Sequence, residues 1–130
     1  MLIDNQLLDR VTGEAKASPR LRMNYNFHTS LDAKAQRLLN ALEPGTILPI
    51  HRHRHTGETY VLLRGKVRIQ YYNERKEPLD SFVLDPLVGN YGIHIEPGQW
   101  HTLEVQESGS VIFEVKDGPY QPITPEDVLM

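Results

Sequence analysis

The sequence predicts an all-β sandwich or barrel carrying one short N-terminal helix. Three observations point there. From Gln36 onward, about eight short apolar segments are separated by turn residues at regular spacing. Several of them alternate with the two-residue period of a half-buried strand: Val67, Ile69 and Tyr71 against Arg68, Gln70 and Tyr72, and Val111, Phe113 and Val115 against Glu114 and Lys116. No long helical pattern interrupts them, and at 130 residues the chain is the size of one domain.

Residues 4–16 form the expected helix, because Leu7, Leu8, Val11 and Ala15 recur at helical spacing and Asp4 or Asn5 can cap it. Residues 18–30, SPRLRMNYNFHTS, interleave polar and apolar side chains and read as an extended arm. Strands are expected near 37–42, 46–50, 58–63, 66–72, 80–84, 91–95, 101–105 and 110–116. Between them stand Glu43-Pro-Gly45, Arg64-Gly65, Asn73 to Pro78, Asp85-Pro86, Glu96-Pro-Gly98 and Ser108-Gly109, all rich in turn formers. A tail from Asp117 with three prolines is expected to wrap the surface. The division is therefore 1–30 helix and arm, 36–116 barrel and 117–130 tail, within a single domain spanning 1–130.

Composition removes several classes of function. Cysteine is absent, which excludes disulfides, thiolate metal sites and cysteine nucleophiles together. The net charge of −3 supplies no basic surface for nucleic acid. No apolar run approaches the ~20 residues that span a membrane, and Met1 to Asn5 lacks the features of a secretory signal. A cytoplasmic protein is the expectation.

Six histidines remain, and three lie within five residues, at 51, 53 and 55. In an extended strand these share one face, while Arg52 and Arg54 share the other, toward solvent. A turn at Thr56-Gly57 returns the chain so that Glu58 begins the next strand beside His51 and His53. Two imidazoles and a carboxylate suit one divalent transition metal, and Fe, Mn, Ni, Co and Zn all accept such donors. His101, at a strand start after Glu96-Pro-Gly98-Gln-Trp100, is the best candidate for a fourth ligand. His55 sits where the chain must turn and is read as a surface or supporting residue; His94, between Ile93 and Ile95, is read as background.

The segment Gly45-x5-His51-x-His53-x4-Glu58-x6-Gly65 matches the first cupin motif at every specified position. The second motif is partial: Gly98-x2-His101 fits, whereas the proline directly precedes the glycine and Val105 stands where the family often has Asn. Arg37-LLNALEPGT46, Ile95-EPGQWHTL103, Phe113-EVKDGPYQP122 and the arm Arg20-LRMNYNFHTS30 extend the likeness, so the chain resembles the WbuC-type cupin-fold metalloproteins. That resemblance implies a cupin-type barrel (a double-stranded jelly roll), a metal site, a homodimer and a setting in surface-polysaccharide biosynthesis. It also suggests that the arm lays Arg20, Arg22, Asn24, Asn26 and His28 across the barrel mouth. There the arginines would clamp a carboxylate or phosphate and the amides would meet hydroxyls.

The functional expectation is a metal-dependent enzyme binding a small sugar derivative or organic acid, with isomerisation or epimerisation as the reaction type. Arg20, Arg22, Asn24, Asn26 and Trp100 would bind substrate, and His28 or Tyr71 would move a proton. Two other readings stand beside it: an Fe(II)-dependent dioxygenase and a non-catalytic sugar- or metal-binding module.

Overall fold

A computed structural model describes residues 1–129. Helix α1 (Asn5–Ala17) is capped by Asp4, whose side chain accepts a hydrogen bond from the Leu7 N–H at 3.0 Å. Ten strands follow: β1 (Arg22–Asn26), β2 (Ala35–Leu42), β3 (Ile50–His51), β4 (Glu58–Arg64), β5 (Val67–Tyr72), β6 (Pro78–Leu84), β7 (Gly92–Ile95), β8 (Trp100–Val105), β9 (Ser110–Asp117) and β10 (Val128–Leu129). They make two antiparallel five-stranded sheets, in the orders β1-β2-β9-β4-β7 and β10-β3-β8-β5-β6. The all-β jelly-roll expectation is met. No helix among the described residues is long and apolar enough to cross a membrane.

The inner core lies between the sheets, where Leu42, Tyr60, Leu62, Val67, Ile69, Leu84, Ile95, Leu103, Val105 and Ile112 pack together. A second apolar cluster lies outside the first sheet. There Leu7, Leu8, Val11 and Ala15 of α1 meet Leu39, Ala41 and Val111, with Met23, Tyr25, Phe27 and Phe113 at its margin. The first sheet is therefore apolar on both faces, and this shifts the phase of β9. Val111 and Phe113 serve the helix, while Ile112, Glu114 and Lys116 share the inner face with Leu62, Tyr60 and Glu58, their register partners on β4.

Two expected elements differ. The segment 46–50 pairs only at Ile50–His51, because Pro49 has no N–H to donate and the Leu48 carbonyl is taken by the Thr102 hydroxyl at 2.9 Å. The tail does more than wrap. It returns to add β10 to the edge of the second sheet, with Val128 opposite His51 and Leu129 opposite Ile50.

Candidate metal centre

Both glycines that bound the first histidine motif have positive φ, +98° at Gly45 and at Gly65. Gly65 turns β4 into β5 with its backbone against Ser110, so a Cβ there would overlap the Ser110 side chain and Cα. Between these turns the chain passes from the second sheet to the first. His51 lies on β3, His53 just beyond it, and Glu58 opens β4 across the barrel interior. His101 stands on β8 directly opposite His51.

The donor atoms of His51, His53 and Glu58 lie within 4.8 Å of one another, a grouping able to hold a metal ion. His53 Nε2 is 3.0 Å from Glu58 Oε1, and His101 Nε2 is 3.5 Å from the same oxygen. His101 joins the group through this contact, outside the tighter three-donor convergence. Its ring centroid is 4.4 Å from that of His51.

The ring tautomers follow from the backbone. His51 Nδ1 is 2.9 Å from the Pro49 carbonyl oxygen, and His101 Nδ1 is 2.9 Å from that of Gln99. A carbonyl can only accept, so both Nδ1 atoms carry the proton and both Nε2 atoms present a lone pair. His101 Nε2 and Glu58 Oε1 are buried without a hydrogen-bond partner. Buried polar atoms left in that state, on residues 1% and 2% exposed, are what a cation between them would satisfy. The other Glu58 oxygen accepts from the Tyr60 hydroxyl at 3.1 Å, which fixes the carboxylate plane.

Electrostatics keeps the donors in their ligating states. Burial, assisted by His101, pulls the His51 pKa down to about 4, so the ring is neutral at pH 7. Burial opposes ionisation of Glu58, but in the metal-free protein hydrogen bonds and positive charge from His101 and His53, supplied only when those rings are cationic, outweigh it and hold the carboxyl well below its usual range; a bound cation would take over that role. Tyr60 is pushed far up by burial and by Glu58, and stays protonated.

The remaining candidates are dispersed. Tyr71 faces inward beside His101, its register partner, and packs its ring on Phe82 at 5.2 Å; burial raises its pKa. Trp100 lies on the opposite face of the second sheet from His101, under the Arg52 guanidinium at 4.5 Å, and so forms no wall of the metal-bearing interior. Arg52 and Arg54 do not point free into solvent, because both bind Asp127 of the tail at 3.0 Å.

The arm is displaced from the place expected for it. β1 is the far edge of the first sheet, three strands from β4. Through Leu42 and Ser110, Arg22 aligns six residues along β9 from the Glu58 row, about 20 Å away. There its guanidinium binds the Ile47 carbonyl at 3.2 Å, and Arg20 is exposed nearby on the chain. Asn24 and Asn26 are exposed on the same edge. His28 is buried at the metal-bearing end, hydrogen-bonded through Nδ1 to the Arg37 backbone at 3.1 Å, but it remains on the arm side of the sheet. His55 is exposed, and exposed His94 bonds the Thr59 hydroxyl at 2.8 Å.

Two residues that the sequence reading placed outside lie inside. Glu114, 7% exposed, stands beside Tyr60; burial and the charge of Glu58 raise its pKa to about 7. Lys116 Nζ is 3.7 Å from its carboxylate. The apolar face of α1 was the available signal: a helix needing a partner surface draws Val111 and Phe113 outward and sends Glu114 in. Lys116 also lines a cavity of about 420 Å3 between loop 52–56 and tail 117–127, and His53 forms part of its wall.

The family model described as "Domain of unknown function (DUF6016)" matches residues 3–84. The chain belongs to the DUF6016 family. No curated protein matches this DUF6016 chain in sequence. Solved structures supply the fold. The capsular polysaccharide assembling protein CapF from Staphylococcus aureus aligns with a TM-score of 0.62 at 16% identity, over 76% of this chain and 27% of that one. The Cnp3 cupin domain of Schizosaccharomyces pombe aligns at 0.59 and 8% identity, over 74% and 64%. Oxalate decarboxylase from Lactobacillus farciminis, in its formate complex, aligns at 0.54 and 16%, over 68% and 25%. The DUF6016 chain thus spans about a quarter of the length of CapF and of oxalate decarboxylase, and what it shares with all three is the cupin fold. The narrower WbuC-type likeness rests on the sequence segments alone.

Proposed function

We propose that this chain is a metal-binding cupin in which His51, His53, Glu58 and His101 hold one divalent transition metal. The observation that carries it is the pair of imidazoles, His51 and His101, whose Nδ1 protons are tied to backbone carbonyls two residues back. His101 then turns an unpartnered Nε2 toward the unpartnered Glu58 Oε1. A bound metal would supply Lewis-acid polarisation of a carbonyl or hydroxyl oxygen. Within the protein, Tyr60 orients Glu58, and Tyr71 is the inward-facing hydroxyl nearest His101 in register, available to move a proton.

The substrate class we favour is a small anionic or sugar-like molecule, and an isomerase- or epimerase-like reaction in surface-polysaccharide chemistry is the reading to test first. The cavity beside His53, with Lys116, His55 and two arginines on its walls, suits an anion better than the arm does. The name of CapF associates a protein of this fold with capsular polysaccharide. A cytoplasmic homodimer completes the proposal.

The test is elemental analysis of freshly purified protein and of His51→Ala and His101→Ala. About one metal per chain is expected in the parent and a large loss in each variant. Retention of full stoichiometry by both variants refutes the site. A thermal-shift screen of sugar nucleotides and organic acids on metal-loaded protein then identifies the ligand class.

A further inference from the structure

The tail closes over the cavity through one carboxylate. Asp127 Oδ1 accepts from Arg52 Nε at 3.0 Å, from Arg54 Nη2 at 3.0 Å and from Arg54 Nε at 3.2 Å. Glu126 adds a contact to Arg54 at 3.5 Å. Beside these side chains, the Arg52 N–H donates to the Asp127 carbonyl at 3.0 Å, and β10 pairs with the strand that carries His51. Two guanidinium groups converging on one carboxylate oxygen make a clamp that recognises carboxylate and phosphate groups generally. Here its occupant is part of the chain.

The clamp also faces the cavity. Arg52, Arg54 and Lys116 line it together with His53 and His55. The acidic residues on the same walls, Asp117, Glu126 and Asp127, all come from the tail or its root. The cationic groups therefore belong to the barrel and its first loop, and the tail supplies the opposing charge. An anion entering the cavity meets cations already occupied by a carboxylate that is tethered to the chain and held, among the described residues, by the short strand β10 and one backbone hydrogen bond from Arg52.

We propose that Arg52 and Arg54 form an anion-binding site for a phosphate or carboxylate group, with Asp127 as its resident internal ligand, and that an anion taking this site releases the tail segment 124–129 from the mouth of the barrel. Release uncovers the edge of β3 and widens the approach to His53. The inference deepens the proposed function by naming where the anionic part of a ligand is held, but the site itself needs no metal.

The structure also provides the readout. Trp100 is the single tryptophan, and Arg52 lies between its ring, at 4.5 Å, and Asp127. Metal-free, full-length protein kept in chelator is titrated with inorganic phosphate and, separately, with malonate, at constant ionic strength set with sodium chloride. Saturable changes in Trp100 emission are expected, together with faster amide exchange at Arg52, whose N–H bonds the Asp127 carbonyl. Asp127→Asn should start in the released state and bind phosphate roughly five- to tenfold more tightly, since one competing ion pair of modest strength is gone. Arg54→Ala should lose most of the phosphate response; Glu126→Gln, at the margin of the clamp, should keep it.

Equal phosphate affinity in the parent and Asp127→Asn overturns the proposal, because competition with the tail is its core. The same response to sodium chloride alone also overturns it, as screening without a site. Because the measurement is made without metal, a negative result here leaves the elemental analysis untouched, and loss of the metal site leaves this result standing.

Discussion

Replacing Glu114 by Gln should stabilise the metal-free protein in a pH-dependent way. A carboxyl with a pKa raised from its usual 4.5 to about 7 is one the native state holds protonated. The folded protein binds that proton more tightly than the unfolded chain, so Glu114 lowers stability as pH rises from about 4.5 through 7. At 1.36 kcal/mol per pH unit, the stability difference between Glu114→Gln and the parent should grow by roughly 2–3 kcal/mol from pH 5 to pH 8. With an unfolding entropy of about 2.1 cal/mol/K per residue, a domain of this length converts that into about 9 °C in relative Tm. The amide keeps the shape but has its own hydrogen-bonding needs, and these shift the difference by a constant independent of pH. The assay is thermal or urea unfolding of both proteins in chelator across pH 5–8. A difference that stays flat over this range refutes the reasoning, since the burial and the Glu58 charge that raise the pKa are removed only at this residue.

Three other outcomes follow from the same geometry. Relative to His51→Gln, the metal-free parent should lose stability on acidification from about pH 6.5 to 4, because His51 is held neutral with its pKa pulled to about 4 while the unfolded imidazole takes a proton; the difference between the two proteins should change by on the order of 3 kcal/mol in urea melts, whatever Glu114 contributes to both. Tyr60→Phe removes the hydrogen bond that fixes Glu58 and should weaken zinc or manganese binding about tenfold in a competition titration with a chromogenic chelator. Gly65→Ala forces a Cβ into Ser110 at a φ of +98° and should cost about 3 kcal/mol or more, measured by chemical denaturation, with soluble yield falling accordingly.

The barrel was legible in the sequence because period-two alternation is a local pattern, and both the β5 phase and the shared face of His51 and His53 follow from it. The phase of β9 was not. Its alternation is equally clear, but the apolar face was assigned to the barrel when a helix more than ninety residues earlier claims it. The same local pattern fits either assignment, and only the packing of α1 decides. Arg52 and Arg54 went astray similarly, since their partner Asp127 is more than seventy residues away and nothing near them in sequence announces it. The arm has the right composition for an anion clamp at the wrong edge of the sheet, because strand order sets lateral distance and a single strand's pattern carries none of it.

Helix α1 docks on a surface that the chain completes only more than ninety residues later, since Val111 and Phe113 of β9 close the cluster that Leu7, Leu8, Val11 and Ala15 enter. During synthesis, α1 leaves the ribosome well before β9, the strand that completes its docking surface. Until β9 inserts between β2 and β4, the helix has half a docking site and the first sheet is two separate pieces. A stalled nascent chain whose residues 110–117 have not emerged from the ribosome should therefore expose the apolar stripe of α1 to chaperones, and one in which they have emerged, on a C-terminal linker, should bury it.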